Sequence, residues 1–114
     1  MLNLGYHKIS KDALVPKAAT TNSACFDIHA CFHEDTIKIN NGIIRKESIM
    51  DPIGDEYKKY YLLHPGTTAL IPTGLIFVIP EYYQLKILPR SGYAWKNQIM
   101  ILNSPGTIDE DYRY

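Results

Sequence analysis

The chain has 114 residues with 12 basic against 12 acidic side chains, a length for one domain and a balance that excludes holding a polyanion such as nucleic acid by bulk charge. With 46% hydrophobic and only 21% charged residues it can bury an ordinary core, which excludes a disordered composition. The opening Met1–Lys8 lacks the order of a secretory signal, the longest apolar run, Leu75–Ile79, is far short of a membrane span, and Cys25 and Cys31 are too few for a disulfide scaffold, so the expectation is a soluble cytoplasmic protein.

From Cys25 to His33 apolar residues occupy the even positions (Phe26, Ile28, Ala30, Phe32) and the odd positions carry Cys25, Asp27, His29, Cys31 and His33, the period of a half-buried strand. On such a strand same-face residues repeat every ~6.6 Å, so Cys25, His29, Cys31 and His33 would not converge on one zinc ion with bonds of ~2.0–2.3 Å, nor would the two thiols meet. Residues 40–61 are more polar, and Asp55–Tyr60 reads equally as a helical turn or a long hairpin arm. Leu75–Ile79 is apolar throughout, which suits a strand covered on both sides by another sheet or another subunit. Tyr83–Ile87 alternates, with apolar residues at odd positions and one wet face. Gly and Pro clusters punctuate these runs at mostly about 8–12 residues, the rhythm of an antiparallel sandwich or barrel with little room for helix.

Two later segments carry chemistry. Pro89-Arg90-Ser91-Gly92 reads as a turn that offers a guanidinium, a hydroxyl and backbone N–H groups to one anion, most simply a phosphate. Asn103-Ser104-Pro105-Gly106-Thr107-Ile108-Asp109-Glu110-Asp111-Tyr112-Arg113 places three acids after a tight turn, the residue type that binds divalent metals or acts as a base. In this order and spacing, and with Ser23-Ala24-Cys25-Phe26-Asp27-Ile28-His29-Ala30 and Pro65–Leu75 ahead of them, they resemble sequence blocks one to three of the trimeric deoxyuridine triphosphate pyrophosphatases, the dUTPases.

The resemblance implies an all-β, jelly-roll-type β-barrel that assembles as a homotrimer, with each active site built from blocks of different subunits. It implies hydrolysis of dUTP to dUMP and pyrophosphate with Mg²⁺ bound by the triphosphate, a reaction that limits uracil incorporation into DNA. Asp109 matches the carboxylate that orients and deprotonates the attacking water. Arg90, Ser91 and Gly92 match the phosphate-contacting turn. Asn103 lies where the uracil-reading hairpin of the family begins and runs on through Gly106, Thr107 and Ile108, and Tyr112 matches the ring packed against the deoxyribose. Asp27 is carried over as a carboxylate near the magnesium waters or the catalytic network.

This chain departs from the family pattern in places. Cys25 stands where block one normally has Gly, and Tyr114 where Gly usually follows the Tyr-Arg pair. Residues 40–61 exceed the minimal family loop and read as a surface insertion in a single 1–114 domain, with a partner-binding arm as the alternative. The family's fourth block and its fifth, a Gly-rich closing arm, are not in these residues, so the expectation is a C-terminally incomplete fragment or a shortened member. Long central insertions suggest a phage or viral origin, hence the cytoplasm or that of a host. Two rivals remain: a deoxycytidine triphosphate deaminase of the same fold, disfavoured by Gly92 and the Ile108–Tyr112 string, and a non-catalytic nucleotide-binding or regulatory protein.

Overall fold

The computed structural model describes residues 3–50 and 57–113. In chain order it holds β1 (Gly5–Lys8), β2 (Lys17–Ala18), β3 (Phe26–Asp27), β4 (Thr36–Ile39), β5 (Gly42–Arg45), β6 (Glu47–Met50), β7 (Tyr57–Tyr60), β8 (Ala69–Leu70), β9 (Leu75–Val78), β10 (Leu85–Ile87), α1 (Ser91–Asn97) and β11 (Gly106–Ile108). The expected all-β class holds, with one short helix among the described residues. Contacts group into two compact units, Ile9–Gly74 and the combination of Met1–Lys8 with Leu75–Tyr114.

In the second of these units β1 pairs antiparallel with β9, from Gly5 opposite Val78 to Lys8 opposite Leu75. Gly5 suits this register because a Cβ there would stand 3.1 Å from the Val78 Cβ. Leu75, Phe77 and Ile79 are buried, whereas Val78 is 48% exposed. The apolar run is thus covered by its own chain on one face, and the period-2 geometry of a strand turns Val78 to the other. β10 pairs antiparallel with β11, and the alternation expected for Tyr83–Ile87 appears over Leu85–Ile87, where Leu85 and Ile87 are half-buried and Lys86 is exposed.

In the Ile9–Gly74 unit, β4 is flanked by β5 and β8. The β4–β5 hairpin turns through Asn40 and Asn41, with Ile39 opposite Gly42, and Ile37 is buried. β6 and β7 pair from Glu47 opposite Tyr60 to Met50 opposite Tyr57, so the Tyr57–Tyr60 part of the polar segment is a hairpin arm rather than a helical turn; Asp55 and Glu56 lie outside the described residues. The root of the arm is fixed by Tyr61. Its ring meets Phe32 edge-on at 4.8 Å, its hydroxyl donates to the Glu34 carbonyl, and Lys46 Nζ donates to the Phe32 carbonyl at 2.7 Å. Desolvation, followed by the nearby Asp35 and Glu34 charges, pushes the Tyr61 phenol above its ordinary value.

The Cys25–His33 strand is corrected by the structure. Only Phe26–Asp27 is extended, paired with Lys17–Ala18, while Phe26 is 62% exposed and Cys31 is buried. The alternation fails because Cys31 leaves the strand register: its amide donates to the Pro72 carbonyl at 2.7 Å and its side chain packs under Gly74. Gly74 has φ +70, and a Cβ there would stand 2.9 Å from the Ala13 Cβ and 3.0 Å from the Cys31 Sγ. Glycine is required twice over at this position, for the left-handed backbone and for the close approach. The strand spacing that separated the possible zinc ligands therefore does not apply. Both cysteines are free thiols, Cys25 exposed and Cys31 buried, and His33 Nδ1 lies 3.1 Å from the Cys31 carbonyl oxygen.

Candidate active site

The phosphate-type turn is more regular than its sequence suggests. Pro89 precedes Arg90, an extended N-cap (φ −79, ψ 130), and Ser91 begins the seven-residue α1. The Arg90 carbonyl accepts the first helical bond, from Ala94 N–H at 3.0 Å. Ser91 and Gly92 thereby occupy the first helical turn, where amides lack intrahelical acceptors. The Arg90 guanidinium carbon stands 5.6 Å from the centroid of the Tyr93 ring. The helix ends at Gln98 in the left-handed region (φ 56, ψ 31), and the Ile99 amide reaches back to the Tyr93 carbonyl at 3.3 Å.

The acidic segment starts with a turn in which Ser104 N–H donates to the Ile101 carbonyl at 3.0 Å, and the Ser104–Pro105 peptide is cis. Gly106 is buried beneath Asn103: a Cβ on Gly106 would be 3.4 Å from both Asn103 side-chain polar atoms and 3.6 Å from the Ile87 Cβ. Gly106, Thr107 and Ile108 form β11, opposite Ile87, Lys86 and Leu85. Lys86 Nζ donates to Thr107 Oγ1 at 2.8 Å. Beyond the strand, Tyr112 N–H donates to the Asp109 carbonyl at 3.2 Å, and the Arg113 guanidinium folds back onto the Glu110 and Tyr112 carbonyls at 2.6 and 2.8 Å. Asp109 is exposed and Tyr112 is 48% exposed.

The antiparallel register decides which residues share an end. Arg90, Ser91, Gly92 and Asn103 lie beyond the Ile87–Gly106 end of the ladder, whereas Asp109 and Tyr112 lie beyond the Leu85–Ile108 end. Two steps of ~3.3 Å make the ladder itself about 7 Å long, and the chain departs in opposite directions from its ends. Within one chain, Arg90 and Asn103 therefore flank one end of the ladder, and Asp109 and Tyr112 the other. Asp27 belongs to the other compact unit, half-buried on β3 with its register partner Lys17. Residue order alone did not mark the contact of Tyr93 with Arg90, although Tyr93 follows it by three residues in the second block.

A dUTPase family model matches residues 56–114, the span that carries Pro89–Gly92 and Asn103–Arg113. The chain belongs to the dUTPase family. It is 38% identical over 106 residues to the deoxyuridine 5'-triphosphate nucleotidohydrolase of Leptospira interrogans, an alignment covering 93% of this chain and 56% of that protein. Enzymes of the same name from Agrobacterium fabrum and Brucella melitensis are 61% identical over 51 residues and 60% over 52, covering 45% and 46% of this chain and 33% of each relative. The chain therefore spans about half the length, or less, of the curated relatives it matches. No helix among the described residues is long and apolar enough to cross a membrane.

Proposed function

We propose that the complete protein hydrolyses dUTP to dUMP and pyrophosphate in the cytoplasm, with Asp109 as the base. The observation that carries the reading is the intact run from Asn103 to Arg113 within the family match, with Asp109 leaving β11 on a hydrogen-bonded turn. Water supplies the nucleophile, the α–β phosphoanhydride bond breaks, and the water proton passes to the Asp109 carboxylate. The turn fixes the position of the carboxylate, and a general base contributes only when it is held within hydrogen-bond reach of the proton it takes. Arg90, with the Ser91 hydroxyl, meets the charge on the phosphate oxygens. Asn103, held over Gly106, and the Gly106–Ile108 backbone read the uracil, and Tyr112 packs on the deoxyribose.

Among the described residues no three His, Cys, Asp or Glu side chains gather at one point. Mg²⁺ keeps several waters and binds chiefly through substrate phosphates rather than a protein cage. Bound in this way it would offset phosphate charge, and Asp27 is the carboxylate proposed to hold its waters.

The opposite exits of Arg90 and Asp109 from one ladder, with the 48% exposure of Val78 on an apolar strand, support a homotrimer in which the Arg90 turn of one subunit meets the nucleotide held by the Asn103–Tyr112 segment of another. Light scattering of the complete protein at micromolar concentration should give three times the subunit mass; a stable, active monomer contradicts the shared site. Pyrophosphate release measured beside dUTP binding tests the activity. Binding without release would select a non-catalytic nucleotide-binding protein instead.

A further inference from the structure

Tyr93 is 54% exposed, contributes to no buried core, and stands three residues after Arg90 at the start of α1. An aliphatic residue would serve the helix equally well, since tyrosine is no better a helix former. What the ring adds is a negative π face, and the Arg90 guanidinium carbon lies 5.6 Å from its centroid, within the ~6 Å at which a cation is attracted by an aromatic quadrupole. The contact differs in kind from an ion pair. A carboxylate would compete with phosphate for the N–H donors, whereas a ring face engages the cation without occupying them.

We propose that Tyr93 is a positioning residue for Arg90: its ring holds the guanidinium over the first turn of α1, so that less side-chain freedom is lost when the triphosphate binds. The proposal rests on the reading of Arg90 as a phosphate contact in dUTP hydrolysis. It assigns Tyr93 to binding and not to the chemical step, because the ring touches the arginine and carries no group that transfers a proton to the reacting water.

The test is steady-state kinetics with dUTP and Mg²⁺ on the complete protein. Tyr93→Leu should raise KM about three- to tenfold with kcat within about twofold, and Tyr93→Phe, which keeps the ring and loses the hydroxyl, should stay within about twofold of wild type in both. Added to Arg90→Ala, Tyr93→Leu should change KM by less than about twofold, because the partner it acts through is gone. A purely structural role for Tyr93 would raise KM equally in both backgrounds, which would overturn the proposal. So would a Leu variant with unchanged KM, or a Phe variant that behaves like Leu. If Tyr93→Leu loses its fold, Tyr93→Met is held to the same thresholds. Absence of dUTP turnover by the wild-type protein would sink the dUTPase reading and the proposal with it. Wild-type turnover with Arg90→Ala at unchanged KM would overturn the proposal and leave the activity standing.

Discussion

The amide of Tyr112 donates to the carbonyl of Asp109 at 3.2 Å, closing a turn with the proposed base at its start and the proposed sugar-facing ring at its end. This is a backbone bond, so either side chain can be replaced without removing it.

Asp109→Asn in the complete protein should therefore lower kcat by about 10²-fold or more and leave dUTP affinity within about tenfold, since the amide keeps the shape and loses the basic lone pair. Single-turnover rates beside equilibrium binding measure the two effects separately. Unchanged turnover would remove Asp109 from the mechanism.

Tyr112→Ala should narrow the preference for dUTP over UTP by about 1–3 kcal/mol, because a ring packed on the deoxyribose excludes or desolvates an added 2′-hydroxyl. The ratio of kcat/KM for the two nucleotides is the measurement, and a wild-type ratio in the variant would contradict the role.

The three blocks, the strand class and the alternation of Leu85–Ile87 were legible in the sequence because each depends on local pattern. The exits of Arg90 and Asp109 from opposite ends of β10–β11 were not, since register is a long-range property that residue order alone does not carry. Ser91 and Gly92 looked like turn residues because both are weak helix formers, yet they open α1, where Tyr93-Ala94-Trp95-Lys96 continues the helix after them. Cys31 defeated the Cys25–His33 alternation through two partners distant in sequence, the Pro72 carbonyl and Gly74.

Gln98 closes α1 with φ 56, a conformation that glycine adopts without the Cβ penalty. Gln98→Gly should raise stability by about 0.5–1 kcal/mol, seen in the denaturation midpoint, with kcat unchanged because the residue lies at the far end of the helix from Arg90. A destabilised variant would show that the Gln98 side chain makes a contribution larger than its backbone strain.

Gly74→Ala should destabilise by about 2 kcal/mol or more, because the new methyl meets Ala13 Cβ at 2.9 Å and Cys31 Sγ at 3.0 Å on a backbone of φ +70. Cys31→Ala in the same background removes the Sγ contact, leaving the Cβ at 3.2 Å, and should restore part of the loss. Full stability of Gly74→Ala by chemical denaturation would contradict the packing described around Cys31.

dUTP hydrolysis is tested most directly by product analysis with ³¹P NMR for the phosphates and ultraviolet absorbance for the base, after incubating the complete protein, with Mg²⁺, separately with dUTP and dCTP. Equimolar dUMP and pyrophosphate from dUTP, no deamination of dCTP, and formation of both dUTP products slowed by about 10²-fold or more in Asp109→Asn are the expected results. Intact dUTP, or dUTP formed from dCTP, would contradict the proposed activity.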